Sequence, residues 1–72
     1  MNEDIKHYSM IIEWDDDDKI YVVTVPELPG CMTHGHTYEE AIQQAHDAIE
    51  SWVMVAKELN RPVPPPKVFN AA

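Results

Sequence analysis

A long amphipathic segment after Thr37 sets the strongest limit on how this chain can fold. Apolar residues recur there at steps of three and four, so they line one stripe of an α-helix. The stripe comprises Ala41, Ile42, Ala45, Ile49, Trp52, Val53, Ala56 and Leu59. This spacing predicts a helix from about Tyr38 to Asn60, and the rest of the 72 residues must supply a surface that covers the stripe.

Both ends of the predicted helix carry capping signals. Thr37 and Glu40 have the spacing of a capping box, in which the threonine hydroxyl accepts from the amide of Glu40 and the glutamate carboxylate accepts from the amide of Thr37. Glu39 and Glu40 also lie where the helix dipole favours negative charge. Asn60 suits a left-handed cap, and "RPVPPP" then ends the helix because consecutive prolines favour polyproline II.

Two segments with period-two alternation precede the helix and predict a β-hairpin. One side of the first segment carries Tyr8, Met10, Ile12 and Trp14. One side of the second segment carries Tyr21, Val23 and Val25. Between them, Asp15–Asp18 favour a turn because like charges repel and aspartate has low strand propensity. Residues 1–5 are expected to form a frayed terminus.

A corner follows the hairpin. Pro26 ends the second strand because it has no N–H to donate, and Pro29-Gly30 is typical of a turn that needs a positive φ at glycine. Cys31 to His34 then predicts a third strand, and Lys67–Phe69 a short fourth one. The predicted fold is a single α+β domain, residues 1–72, with a three-stranded antiparallel meander and one long helix on one face.

The charge balance bears on partners. Thirteen acidic residues against five basic ones give a formal net charge of −8. Direct nucleic-acid binding is not expected, because it depends on basic residues that neutralise phosphates. An acidic surface suits a basic protein partner, although the same acidity could serve solubility alone. The outer sheet face, with Ile11, Ile20 and Val22, predicts cover by another subunit or partner, hence a homo-oligomer, either dimer or tetramer.

The compartment is predicted from cysteine use and hydropathy. Cys31 is the only cysteine, so no disulfide forms within the chain and a reducing cytoplasm fits. No apolar run approaches the roughly 20 residues that span a bilayer, and no leader opens the chain. We therefore expect a cytoplasmic protein with no membrane contact.

No catalytic, cofactor or metal site is predicted. His34 and His36 would share one face of a strand, but zinc needs three or four converging ligands. Cys31 as a nucleophile needs a neighbouring base, and an extended strand directs it away from His34. The aspartate run fails as a calcium loop, since its sixth position is Ile20 and its twelfth is Pro26.

The stretch "VPELPGCMTHGHTYEEAIQQAHDAI" resembles the central signature of the HicB antitoxin family. The matching residues are Pro26, Leu28, Pro29, Gly30 and Cys31, then Thr33, Gly35 and Thr37, then Glu39, Glu40 and Ala41. The upstream hairpin and the proline-rich exit also resemble the family, so the likeness covers nearly the whole chain. It implies a truncated ribonuclease-H-like fold, β-β-β-α-β, with the last strand beside the first.

The resemblance also implies a function, which is to bind and neutralise a small basic RNA-cleaving toxin of the HicA type. Ribonuclease H carboxylates are not part of the family pattern, so no enzymatic activity is expected. Net charge suggests the candidate contacts Asp15, Asp16, Asp17, Asp18, Glu39, Asp47 and Glu50.

Two further expectations accompany the resemblance. Family members that repress their own operon carry a C-terminal DNA-binding domain, for which this sequence has no room, so autorepression is not expected. The alternative function is a homo-oligomeric binding or structural protein of the same fold without a toxin, with a metal held through His34 and His36 at a subunit interface.

Overall fold

A computed structural model describes residues 3–71 and shows a three-stranded sheet followed by one long helix. The strands are β1 (Ile11–Asp15), β2 (Ile20–Thr24) and β3 (Met32–Gly35), paired antiparallel in the order β1-β2-β3. The helix α1 spans Tyr38–Glu58. The predicted α+β class is therefore confirmed. Residues 1 and 2, expected to be frayed, and residue 72 lie outside the described residues.

The strand register places alternate residues on the face that α1 covers. Trp14, Tyr21 and Gly35 form one cross-strand row, and Ile12, Val23 and Thr33 form the next. The predicted sidedness of both hairpin strands is thereby confirmed. The opposite face carries Ile11, Ile20, Val22, Thr24 and Met32 among polar residues.

Helix α1 buries a narrow stripe against this sheet. Ala41 and Ala45 close on Val23 in the middle of the sheet. Further along, a larger core cluster contains Tyr8, Val25, Leu28, Cys31, Ile49 and Val53. Two members of the predicted stripe, Ile42 and Leu59, are exposed, so the prediction was wrong for them. The sheet has only three strands, so it covers the centre of the apolar stripe on α1. Side chains at the margins of the stripe stay exposed.

Gly35 lets the start of the helix approach the sheet. A Cβ atom on Gly35 would lie 2.4 Å from the amide nitrogen of Ala41 and 2.7 Å from its Cα. Real Cβ atoms do not approach backbone this closely, so only glycine fits here. The corner before β3 needs glycine for a different reason, because Gly30 has a φ of +76° in the predicted proline-glycine turn.

Two of the three predicted capping features are present in the structure. Thr37 accepts from the amide of Glu40 at 3.0 Å, and Asn60 has a φ of 55° beyond a helix that ends at Glu58. The Glu40 carboxylate, however, accepts from the amide of His36 at 2.6 Å, where the capping box predicted Thr37. His36 also places its Nδ1 3.0 Å from the same oxygen, so one residue offers that carboxylate two contacts.

The predicted fourth strand is absent from the described residues, since residues 61–71 have no regular structure. The three prolines before Lys67 carry no N–H, and the amide of Lys67 donates to the Glu27 carboxylate at 2.8 Å. The amide of Lys67, where the predicted strand would begin, is thus engaged by Glu27 and does not pair with β1, and the ribonuclease-H-like relation stays a prediction.

At the other terminus, a 3₁₀-helix spans Glu3–His7, and Ile5 packs on the core cluster. The expectation of a frayed terminus was therefore wrong from Glu3 onward. An apolar side chain at Ile5 gives this segment a reason to stay on the core.

Candidate partner-binding surface

The aspartate run forms a tight turn that presents three carboxylates to solvent. Asp15 Oδ1 accepts from the amides of Asp17 at 3.0 Å and Asp18 at 3.3 Å, and the Asp15 carbonyl accepts from the amide of Lys19 at 2.8 Å. Lys19 takes a left-handed φ of 58° to close the turn. Asp15 therefore organises the turn, and Asp16, Asp17 and Asp18 are its exposed carboxylates.

Next to this turn, three aromatic rings lie in contact in a row, which we call the aromatic platform: Trp14, Tyr21 and Tyr38. Trp14 meets Tyr21 edge-on with ring centroids 5.0 Å apart, and Tyr21 stacks on Tyr38 at 4.3 Å. Trp14 is 50% exposed and Tyr38 is 57% exposed. The platform is therefore a built apolar feature that the fold leaves open to solvent.

Gly35 explains why the three rings meet. Trp14, Tyr21 and Gly35 lie in one row of the sheet, and the missing side chain at Gly35 admits the first turn of α1. Tyr38 is the first residue of that helix, so its ring lies over Tyr21. Burial, and then the neighbouring Tyr38, raise the pKa of Tyr21, so its phenol stays neutral at physiological pH.

The turn and the platform are joined by direct contacts. The indole N–H of Trp14 donates to Asp16 Oδ1 at 3.2 Å, and the ammonium of Lys19 lies 2.9 Å from the same oxygen. These hydrogen bonds, from Lys19 first and then Trp14, hold the pKa of Asp16 below its usual value. Asp16 is thus a carboxylate at neutral pH, placed at the edge of an aromatic surface.

The structure separates the predicted contact residues into two sets. Glu39 is exposed in the first turn of α1, at the same end of the sheet as the acidic turn, because Tyr38 before it stacks on Tyr21. Asp47 and Glu50 are exposed on α1, about 12 Å and about 16 Å further along the axis at roughly 1.5 Å per residue. The first set, Asp16, Asp17, Asp18 and Glu39 with the aromatic platform, is called the acidic end below.

The sequence analysis missed the carboxylate at the opposite end of the sheet. Glu27 is only 8% exposed and accepts from the Ser9 amide at 3.0 Å, the Ser9 hydroxyl at 2.9 Å and the Lys67 amide at 2.8 Å. Burial alone would raise the pKa of Glu27, but the hydrogen bonds from Lys67 and Ser9 outweigh it and lower the pKa. This Glu27 network joins β1, the corner and the C-terminal segment.

The histidines and the cysteine are not assembled into a reactive group. His34 is exposed on the outer face, and His36 follows the strand and contacts Glu40. Cys31 is buried on the other side, and burial raises the pKa of its thiol. Among the side chains that the structure describes, no three histidine, cysteine or acidic residues are grouped as metal ligands.

One groove of about 630 Å³ lies between the corner and the middle of α1. Its lining includes Gly30, Cys31, Trp52, Val55 and Arg61, so it is mainly apolar. Trp52 spans it and donates its indole N–H to the carbonyl of Pro29 at 3.0 Å. The groove holds no pair of groups suited to nucleophilic or acid–base chemistry, because its one thiol stays protonated.

Comparison with known proteins decides the family. Residues 8–72 match the family model described as the HicB-like antitoxin of bacterial toxin–antitoxin systems. The chain belongs to the HicB-like antitoxin family. A UPF0150 protein of Thermoplasma acidophilum is 42% identical over 57 residues, 79% of this chain and 81% of that relative. A UPF0150 protein of Synechocystis is 37% identical over 60 residues, 83% of this chain and 75% of that relative.

Membership in the HicB-like family supports an antitoxin role within a toxin–antitoxin system. The description of the family as an antitoxin points to a regulatory protein. No helix among the described residues is long and apolar enough to cross a membrane.

The residues that carried the HicB resemblance are mostly scaffold in this structure. Leu28, Cys31 and Ala41 are buried, Gly35 admits the helix, and Thr37 caps it. The aromatic platform and Glu27 were not selected from the sequence. The alternation placed Trp14 and Tyr21 on one face. Their contact could be predicted only with the hairpin register, and the contact of Tyr38 with Tyr21 only with the distance between helix and sheet.

Proposed function

We propose that this chain neutralises a small basic RNA-cleaving toxin of the HicA type by binding it through the acidic end. The observation that carries the proposal is the coincidence of exposed carboxylates with an exposed aromatic platform at one end of the sheet. Opposite charge steers association, and tryptophan and tyrosine are enriched among the residues that dominate protein interfaces. The antitoxin acts in the cytoplasm by occlusion and performs no catalysis itself.

Co-expression with a small basic toxin of the HicA type tests the proposal. Wild-type antitoxin should restore growth, and the variant D16N/D17N/D18N should restore it poorly. A matched variant, D47N/E50Q/E58Q, removes the same charge from exposed positions further along α1 and should restore growth well. Failure of the wild type to restore growth would sink the antitoxin proposal. An equal loss of growth rescue in both variants would show that rescue depends on net charge and not on the acidic end.

A specific observation also favours self-association, and we propose that a second copy covers the outer face of the sheet. That face exposes Ile11 and Met32, the latter at 60%, in one row across the three strands. Antiparallel sheets tolerate one solvated face, but such a face is usually polar. Ile11→Lys and Met32→Lys should reduce the mass seen by analytical ultracentrifugation, whereas Met54→Lys on α1 should not. A wild-type monomer at all micromolar concentrations would refute this second proposal.

A further inference from the structure

We propose that the aromatic platform receives a cationic side chain, arginine or lysine, from the basic partner, and that Lys19 competes for the same place. The proposal rests on the proposed function, because it names the chemistry by which the acidic end would hold its partner. It concerns Trp14, Tyr21 and Tyr38, which no predicted contact included.

The platform has the properties of a cation site. Aromatic faces attract a guanidinium or ammonium group within about 6 Å of the ring centroid, most strongly for tryptophan. Trp14 and Tyr38 are half exposed, so a cation can reach the platform from solvent at both of its outer rings. Tyr21 between them is partly buried and holds the two outer rings in place through contacts of 5.0 and 4.3 Å.

Neighbouring carboxylates complete the site. Asp16 accepts the indole N–H of Trp14, so its charge lies at the edge of the rings. A cation above the platform would therefore interact with the ring faces and with a carboxylate together. Guanidinium suits this combination better than ammonium, since it stacks on aromatic faces and forms bidentate contacts with carboxylates.

Lys19 already occupies part of this arrangement. Its ammonium lies 2.9 Å from Asp16 Oδ1, and both side chains are largely exposed. Exposed ion pairs contribute little to stability, so the pair is easily exchanged for another cation. Lys19 therefore acts as an internal competitor, and its removal should favour the external cation.

The charge of the molecule disfavours the other occupants. A second copy would bring another net charge of −8 to this acidic corner, and RNA would bring phosphates. Both face like-charge repulsion that a basic protein does not. The experiment nevertheless distinguishes a basic partner from these two alternative ligands.

The test uses a hexa-arginine peptide as the probe and the two indole N–H signals of the full chain in nitrogen-correlated NMR. Addition of the peptide should shift the Trp14 indole signal and leave the Trp52 signal unchanged, because Trp52 donates to Pro29 in the groove. Hexa-lysine should bind more weakly, and hexa-glutamate and a short RNA should cause no shift. Shifts of Trp52 alone, or of both indoles equally, would overturn the assignment.

Three variants make the test quantitative. Tyr38→Leu keeps apolar bulk but removes the ring face, and should weaken peptide binding about threefold, whereas Phe69→Leu, at a residue 89% exposed, should leave it unchanged. Lys19→Ala should strengthen binding about twofold. Unchanged affinity in folded Tyr38→Leu, or weaker binding in Lys19→Ala, would refute the proposal.

Failure of this proposal and failure of the antitoxin proposal give different results. If wild type and Tyr38→Leu restore growth equally and bind the toxin equally, the antitoxin function stands and the platform is not its cation site. If the wild type binds hexa-arginine through Trp14 but never restores growth, the platform stands and the toxin-neutralising function fails.

Discussion

The two ends of the sheet use carboxylates in opposite ways. At one end, Glu27 is buried and satisfied by three hydrogen bonds that join distant parts of the chain. At the other, Asp16, Asp17 and Asp18 are exposed in a turn that Asp15 organises. We propose that the carboxylate at the first end contributes mainly to stability and that those at the second contribute mainly to recognition.

Gly35→Ala should have the largest effect on the unfolding free energy, since it places a methyl group against the backbone of α1. We expect a loss of about 3 kcal/mol in unfolding free energy, the upper range for overpacking, because a Cβ 2.4 Å from the Ala41 nitrogen forces the helix away. Chemical denaturation measures it, and near-ultraviolet circular dichroism should report the separation of Tyr38 from Tyr21. Gly30→Ala is the control, with a loss of about 1–2 kcal/mol from its positive φ alone, since nothing lies within 4 Å of a Cβ there.

Glu27→Gln should lower the unfolding free energy by about 2 kcal/mol. The neutral amide removes the charge that strengthens the hydrogen bonds from Ser9 and Lys67 to Oε2. Its NH₂ group would also replace Oε1, which accepts from the Ser9 amide at 3.2 Å, and so would set two donors against each other. Urea denaturation gives the value. Glu39→Gln, at an exposed position of the acidic end, is the matched control and should change stability only slightly. Equal losses in the two variants would break the distinction between the two ends.

Acid should weaken the Glu27 network. The pKa of Glu27 in the folded state lies below its ordinary value of 4.5, so its contribution to stability is fully present above that value. The contribution is lost as the pH falls through the lower, folded pKa. The stability difference between wild type and Glu27→Gln should therefore shrink below pH 4.5. A constant difference across that range would show that the charge of Glu27 does not stabilise the fold.

Thr37→Ala should lower the unfolding free energy by about 1 kcal/mol, because it removes the acceptor for the Glu40 amide at the helix start. Thr37→Ser is the control and should retain the cap. Thermal unfolding followed by far-ultraviolet circular dichroism measures both variants. No difference between alanine and serine would mean that the cap is unimportant here.

D16N/D17N/D18N should change the unfolding free energy least, by less than about 0.5 kcal/mol, because exposed carboxylates contribute little to stability. The same substitutions should strongly reduce toxin binding. A large loss of stability would show that the acidic turn is structural and would remove the contrast with Glu27.

The sequence predicted what local patterns determine. Alternation located the hairpin, Thr37 located the helix start, and glycine with proline located the corner, since each depends on neighbours along the chain. Contacts between distant residues could not be predicted in the same way. Glu27 meets Lys67 across 40 positions, and Tyr21 meets Tyr38 only because Gly35 admits the helix. The prediction of a fourth strand was wrong in the same way, because it could not include the long-range contact between Glu27 and the amide of Lys67.

The candidate site followed the same rule. Net charge predicted an acidic contact surface but could not choose between the turn and the side of α1. The structure places Glu39 in the first turn of α1, at the acidic end, and Asp47 and Glu50 further along the helix. Which carboxylates lie at the end that carries the aromatic platform depends on the three-dimensional fold and cannot be derived from composition.

The association rate of purified antitoxin with its purified toxin, measured by stopped flow at low and high salt, tests the central claim most directly. Neutralising the turn in D16N/D17N/D18N should reduce the rate roughly tenfold at low salt and much less at high salt, where the charges are screened. The matched variant D47N/E50Q/E58Q should reduce it only slightly. An association rate that does not change with salt concentration, or that falls equally in both variants, would contradict docking through the acidic end.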